Sequence, residues 1–249
     1  MKLTVLGKYG PFPAPGGACS GYLLECGQSR LLLDLGSGTL SRLLQFVPTL
    51  QIDAILLSHL HSDHMGDLLI LRYALQQYKA RGQNVPMPLA VIAPDVPEEE
   101  YRLLTGSGIY DITTARDKLR ARIGDVTITL HRMTHPVPTY GFSIEHCGRC
   151  MFYTGDTGWR DDLPSLCAGA DLLLADACFA EADRPGGSGS VAAHLTAAEA
   201  GRIAREAGVK KLVCTHLWGG GCNEAQMLEE ARAQFPDAVV AEEMQSYLI

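Results

Sequence analysis

Six short apolar runs in this chain stop abruptly at a polar residue, and this repeated arrangement constrains the fold more than any other feature. Leu31-Leu32-Leu33 meets Asp34, and Ala54-Ile55-Leu56-Leu57 meets Ser58-His59. Val126-Thr127-Ile128-Thr129-Leu130 precedes a turn that carries His135. Met151-Phe152-Tyr153 meets Thr154-Gly155-Asp156, Leu172-Leu173-Leu174-Ala175 meets Asp176, and Lys211-Leu212-Val213-Cys214 meets Thr215-His216. Their length and their β-branched and aromatic content favour strands, although the Leu-rich runs are ambiguous by periodicity alone. Helical patterns lie between them. Asp67 to Ala80 places Leu68, Leu71, Leu75 and Tyr78 at spacings of three and four. Thr196-Ala-Ala-Glu199 is a capping box opening a helix that stops at Gly208, and a third pattern runs from Glu224 to Phe235 before Pro236. The N-terminal third reads as hairpins, with turns at Cys26-Gly27-Gln28-Ser29 and Gly36-Ser37-Gly38. Strands alternating with helices and no clear linker predict one layered α/β domain over residues 1–249. The loops expected to move are Pro11 to Gly17 and the glycine-rich stretch from Arg184 to Ser190.

Composition narrows the function. Hydrophobic residues make up 47% and charged residues 20%, so the chain has material for a core and is not disordered. The net charge of −7 disfavours a protein that lives by contacts to a phosphate backbone. No apolar run approaches about 18 residues, so no membrane span is expected. The first residues reach Gly and Pro too soon for a signal peptide. Eight cysteines without such a leader read as reduced thiols, which makes the cytoplasm the expected compartment. Cys147 and Cys150 flank a two-residue turn and offer only two of the four ligands of a structural zinc, which favours a hairpin over a metal knuckle.

The chemistry concentrates in Ser58-His59-Leu60-His61-Ser62-Asp63-His64. Imidazoles suit zinc and related metals, and a carboxylate can serve or bridge a second ion. Alternation puts His59 and His61 on one side, and the following turn offers Asp63 and His64 to a neighbouring site. The plainer alternative, a polar surface loop, leaves three histidines in six residues at a strand end unexplained.

His59-Leu-His61-Ser-Asp63-His64 resembles the H-x-H-x-D-H signature of the metallo-β-lactamase-fold hydrolases. The later elements of that family appear in order over nearly the whole chain. His135 stands where the third histidine is expected, Asp156 in Thr-Gly-Asp-Thr matches the bridging aspartate, and His216 in Cys-Thr-His-Leu matches the last ligand. The resemblance implies a four-layered αββα sandwich binding two divalent metal ions, zinc first and manganese as an alternative. One metal would take His59, His61 and His135, the other Asp63, His64 and His216, with Asp156 between them. Five of the eight histidines fall into this series.

Within the family the chain is similar to the ribonuclease Z and phosphodiesterase branch. His135-Pro-Val-Pro138-Thr-Tyr140-Gly141-Phe142 resembles its H-x-x-P-x-Y-G-F element, and the P-G-H turn of glyoxalase and lactonase relatives is absent. Asp176-Ala-Cys-Phe179 and Ala193-His194-Leu195-Thr196 resemble its paired E-A-T-F and H-S/T elements, with Asp in place of Glu. The resemblance implies a phosphodiesterase for small or cyclic phosphodiesters that uses a hydroxide shared by both metals. Asp63 would hold the nucleophile's proton, and His194, oriented by Asp176, would protonate the leaving oxygen. Asp34 would support the metal loop from behind. Tyr140 and Trp218 either line the pocket or pack, and His131 and His146 read as surface or hairpin residues.

The rival enzyme is an ester, thioester or lactone hydrolase on the same two metals. A tRNA 3′-processing endonuclease ranks lower. Only 21 positions separate His135 from Asp156, too few for a tRNA-gripping arm, and Pro11 to Gly17 carries no Arg or Lys. A basic docking surface formed by the 81–120 region in a dimer, with Arg102, Arg116, Lys118, Arg120 and Arg122 nearby, is the competing possibility, and a homodimer is what the family suggests. A redox or metal-carrier protein is the rival from another class. His61, where di-iron relatives carry Glu, argues against it. Stable nucleic-acid or membrane binding is not expected.

Overall fold

The computed structural model describes residues 1–48, 50–185 and 193–249. Two seven-stranded mixed sheets face each other. The first runs Ser246–Leu248, Lys2–Gly7, Gly21–Cys26, Ser29–Leu35, Ala54–Leu56, Leu89–Ala93, Tyr110–Thr114. The second runs Ala238–Val240, Leu212–Thr215, Leu172–Asp176, Arg149–Tyr153, Tyr140–His146, Val126–Arg132, Arg120–Ile123. A small parallel pair, Tyr9–Gly10 with Leu217–Trp218, ties the N-terminal segment to the end of the second sheet.

Alternation of side chains explains why the apolar runs are continuous. Leu31 and Leu33 point into the space between the sheets, where they meet Ile128, Phe142, Met151, Leu172 and Leu174. Leu32 points the other way, into a layer with Leu43, Leu68, Leu71 and Leu75 from helices Thr39–Phe46 and Ser62–Ala80. Leu173 likewise faces helices Ala197–Ala207 and Glu224–Gln234 through Ala200, Ile203, Met227 and Ala231. Strands buried on both faces need apolar residues at every position, and each buried leucine contributes roughly 1.5–3 kcal/mol. The result is a four-layered αββα sandwich, as the resemblance implies.

Two local expectations are corrected. Gly36-Ser37-Gly38 is not a hairpin turn. It leads into helix Thr39–Phe46, and the strands on either side of that helix run parallel. The helix expected from Asp67 begins at Ser62, so Asp63 and His64 belong to its first turn. That turn holds no apolar stripe, which is why the period reads later in sequence. Thr196 caps its helix as the pattern predicts: its hydroxyl accepts from the Glu199 backbone, Glu199 accepts from the Thr196 backbone, and the helix ends at left-handed Gly208. Among the described residues no helix is long and apolar enough to cross a membrane. The glycine-rich stretch 186–190 lies outside the described residues.

Candidate metal centre

Strands of both sheets end at one edge of the sandwich, and the polar residues that terminate them converge there. Ser58 to His61 leave strand Ala54–Leu56, and Asp63 and His64 begin the helix whose cap position is His61. An acidic residue in a first helical turn is favoured by the helix dipole, so Asp63 sits where the backbone supports its charge. His135 comes after strand Val126–Arg132, Asp156 after Arg149–Tyr153, and His216 after Leu212–Thr215.

Two donor groups built from the predicted ligands share Asp156, and a third sets it beside Asp176, His194 and His216. The first comprises His59, His61, His135 and Asp156, and the second Asp63, His64, Asp156 and His216. In the first, His61 Nδ1 lies 2.9 Å from His59 Nε2 and 3.3 Å from His135 Nε2. A tetrahedral zinc with Zn–N of about 2.0–2.1 Å holds its nitrogens about 3.3 Å apart. In the second, Asp156 Oδ1 lies 3.3 Å from His64 Nε2, and Asp156 Oδ2 lies 3.2 Å from His216 Nε2. Asp63 Oδ2 is 3.2 Å from His216 Nε2 and 3.4 Å from His64 Nε2.

Contacts behind the cluster decide which ring nitrogen faces forward. Asp34 is fully buried and accepts from the Ser58 backbone at 2.7 Å, the Tyr153 hydroxyl at 2.7 Å and His64 Nδ1 at 2.8 Å. With Nδ1 donating to Asp34, His64 turns Nε2 toward Asp63 and Asp156. Ser58 Oγ donates to Asp34 at 2.9 Å and so accepts from His59 Nδ1 at 3.0 Å, which turns the unprotonated Nε2 of His59 toward His61 and Asp156. His135 Nδ1 donates to the Ala193 carbonyl at 3.1 Å. These are the outer contacts by which ligating imidazoles are oriented.

Electrostatics point the same way. Burial, reinforced by neighbouring imidazoles, pushes His59 well below its ordinary range, and burial lowers His61 and His135 as well. These rings are neutral at pH 7, the form that binds a metal. Burial would raise the carboxyls of Asp63 and Asp156, yet His64 and His216 around the first, and His216, His64 and His59 around the second, hold both far below the usual range. Burial would lower His64, but Asp156, Asp63 and Asp34 outweigh it and raise the ring well above its usual range, so these carboxylates draw a proton that a bound cation would displace. His64 Nε2 and Asp156 Oδ1 are buried, face each other and have no hydrogen-bond partner. Orphaned donor atoms of metal-ligand type in a site dense with buried carboxylates fit a pair of divalent cations.

His194 stands beside this cluster with one-fifth of its side chain exposed. Its Nδ1 donates to Asp176 Oδ2 at 3.0 Å, so the shorter acid spans the gap. Asp176 Oδ2 also accepts from the Thr157 backbone at 3.1 Å. Burial disfavours the charged ring, but Asp176 and then Asp156 favour it, and His194 is pushed up to about 9. The ring stacks on His216 at 4.9 Å. A cleft of about 400 Å³ opens alongside, walled by Cys178, Phe179, Asp183, Trp218 and Cys222. The Trp218 ring packs against Phe179 at 6.0 Å and Phe12 at 5.4 Å.

All the residues singled out in sequence as ligands or proton carriers thus come together. Tyr140 does not reach the cleft. It is buried between the sheets, under the guanidinium of Arg132. His131 bonds Ser143 and His146 bonds Asp125, away from the cluster. Sequence reasoning missed Tyr153, whose hydroxyl reaches Asp34 across the sandwich, and Gly10. A Cβ on Gly10 would stand 1.9 Å from His216 Nε2, so only glycine leaves room for that ring. Nothing local marks either residue, because each acts on a partner far away in sequence.

Residues 29–217 match the profile of the beta-lactamase superfamily domain. The chain is 36% identical to "Probable metallo-hydrolase YhfI" of Bacillus subtilis, over 94% of each chain. The crystal structure of that protein superposes with a TM-score of 0.90 at 35% identity, covering 99% of this chain and 98% of the other. Ribonuclease Z of Methanopyrus kandleri is 27% identical over 97% of this chain and 95% of its own length. The structure of a diphosphatase from the PhnP family shares the fold, with a TM-score of 0.75 at 17% identity over 100% of this chain and 97% of that one.

Proposed function

The chain belongs to the beta-lactamase superfamily as a metallo-hydrolase of that fold, and from this premise we propose that it is a two-metal phosphodiesterase acting on small or cyclic phosphodiesters. The observation that carries the reading is the His194–Asp176 pair, held at the open side of a carboxylate shared by two donor groups. His59, His61 and His135 would hold one cation, Asp63, His64 and His216 the other, and Asp156 both. Two such ions, zinc or manganese, supply Lewis acidity and lower the pKa of water.

The chain's own groups do the rest. Asp63, ionised and close to both His64 and His216, accepts a hydrogen bond from the attacking hydroxide, whose other proton has already gone to solvent, and would hold it in line with phosphorus. His194 donates a proton to the leaving oxygen, an alkoxide that departs poorly without one. Asp176 orients the ring through Nδ1 and stabilises its charge. Phe179 and Trp218 cover the organic substituent and exclude water from that side.

Three observations favour a small substrate over tRNA. Strands Tyr140–His146 and Arg149–Tyr153 fill the interval between His135 and Asp156, leaving no room there for an arm. Of the cations in and beside the 81–120 region, Arg102 and Arg116 are paired with Glu98 and Asp95, while Lys118, Arg120 and Arg122 form no ion pair among the described residues. The net charge is −7.

The deciding experiment combines metal analysis with a substrate panel: bis-p-nitrophenyl phosphate, cyclic nucleotides, p-nitrophenyl esters, a thioester and a precursor tRNA with a 3′ trailer. Close to two metals per chain and turnover confined to the small phosphodiesters is the expected outcome. Faster ester or thioester turnover, or efficient and accurate tRNA cleavage at physiological salt, overturns the reading.

Gly10→Ala supplies a further check. The added methyl displaces His216, so one metal should bind more weakly, by roughly tenfold or more, while the His59–His61–His135 ion stays. Two metals retained at wild-type affinity would mean that His216 is not a ligand.

A further inference from the structure

At the other end of the sandwich, hairpin turns bring a second set of metal-type donors together. The turn after Cys26 belongs to the first sheet, and the turns at Gly124-Asp125 and Cys147-Gly148 belong to the second. Strand Ser29–Leu35 carries Asp34 at one end and meets this group at the other, which puts the group roughly 15–20 Å from the centre described above. Here Asp125 Oδ2 lies 3.0 Å from His146 Nε2, and Cys147 Sγ lies 3.5 Å from the same nitrogen. All three donor atoms lie within 4.8 Å of one another.

We propose that Asp125, His146 and Cys147 form a peripheral site for one zinc-like divalent cation. These are the three residue types that zinc takes, and the spacing suits it. A tetrahedral ion at about 2.0–2.3 Å from its ligands holds N and O about 3.3 Å apart and N and S about 3.6 Å apart.

The surroundings supply room and charge. A cavity of about 340 Å³ opens over the three residues, with Glu145 also on its wall, enough for a water to complete the coordination. Arg149 pairs across the hairpin from His146 and would repel a cation, but its guanidinium is held by Asp171 at 2.9 Å. From the facing sheet, Gly27 closes the back of the site: a Cβ there would stand 3.3 Å from His146 Nε2 and 3.9 Å from Asp125 Oδ2. Cys147 itself occupies a left-handed position, φ 48°, ahead of Gly148 at 73°. A two-residue hairpin with both φ values positive favours Asn-Gly, so turn geometry gives no reason for a thiol there. The competing explanation is a surface His–Asp ion pair with a bystander cysteine.

Cobalt separates the two. The full-length protein, stripped with chelator and reloaded with Co²⁺ under a phosphine reductant, should show a thiolate-to-cobalt charge-transfer band in the near ultraviolet. The ligands proposed for the catalytic centre are all nitrogen and oxygen, but Cys178 lies within ligand reach of His194 and His216, so the band reads this peripheral site, whether or not that centre works as proposed, through its loss in Cys147→Ser. Cys147→Ser should abolish the band and leave phosphodiester turnover unchanged. Asp125→Asn and His146→Ala should each weaken the binding that gives the band by roughly tenfold or more. No band in the wild type overturns the proposal. So does a band undiminished in Cys147→Ser, which would assign the thiolate to another cysteine, or unchanged affinity in both other variants.

Discussion

Asp156→Ala is expected to release both metals and to lower kcat by at least about 10³-fold, the scale at which the two-ion clamp contributes to an in-line displacement. Asp156 is the one side chain common to both donor groups, is 2% exposed, and lies within 3.6 Å of His59, His64 and His216. Alanine leaves three nitrogens on one side, two imidazoles and Asp63 on the other, and no anion between them to offset the repulsion of two cations. The measurement is elemental analysis after gentle desalting, with bis-p-nitrophenyl phosphate turnover on the same sample. Asp156→Asn keeps the volume and isolates the charge. If it behaves like alanine while the unfolding midpoint stays close to wild type, the loss is electrostatic rather than structural. Two metals per chain with normal turnover in either variant would remove Asp156 from the centre.

His194→Ala should divide substrates by their leaving group. With an alkoxide leaving group the rate should fall by roughly 10²–10⁴-fold, the usual contribution of a positioned general acid. With p-nitrophenolate, which departs with little help from a proton, the loss should be far smaller. Asp176 contributes through the ring it holds at 3.0 Å, so Asp176→Asn should reproduce the same selectivity at reduced amplitude. KM for both substrates should change little, because the cleft walls at Phe179 and Trp218 are untouched. Equal losses for both leaving groups in His194→Ala would exclude proton donation and leave only stabilisation of charge on phosphorus.

Much of this centre is legible in the linear chain because its parts are local. His59, His61, Asp63 and His64 lie within six residues, where a strand end passes directly into a helix, and their spacing alone separates them into two directions. The αββα arrangement came from the family resemblance, whereas a layered α/β domain was legible from the residues for a related reason. Runs such as Leu31-Leu32-Leu33 and Leu172-Leu173-Leu174 are apolar at every position, as strands covered on both faces must be. The helix Ala197–Ala207 announces both its ends, through the Thr196 and Glu199 exchange and Gly208, since capping involves residues three or four apart.

Other features depend on distance in the chain. Helix Thr39–Phe46 hides behind a Gly-Ser-Gly turn signal, because local turn chemistry does not specify the element on its far side. Tyr140 carries the same ring whether it lines a pocket or packs a core, and the position of Arg132 and the facing sheet decided for the core. Asp34 and Tyr153 are 119 positions apart, and their hydrogen bond exists only because the two sheets close face to face. Gly10 and His216 meet because a two-residue parallel pairing folds the N-terminal segment back onto the last strand end, and Asp125 reaches Cys147 only because two hairpins of one sheet end side by side. Side-chain chemistry and short-range periodicity were enough to read from the chain alone which donor residues occur, in what order, and most of the strands and helices that carry them. Which nitrogen each histidine turns forward, where the cleft opens and which distant glycine makes room were decided by the packing of the two sheets, because steric exclusion and hydrogen-bond direction depend on neighbours in space.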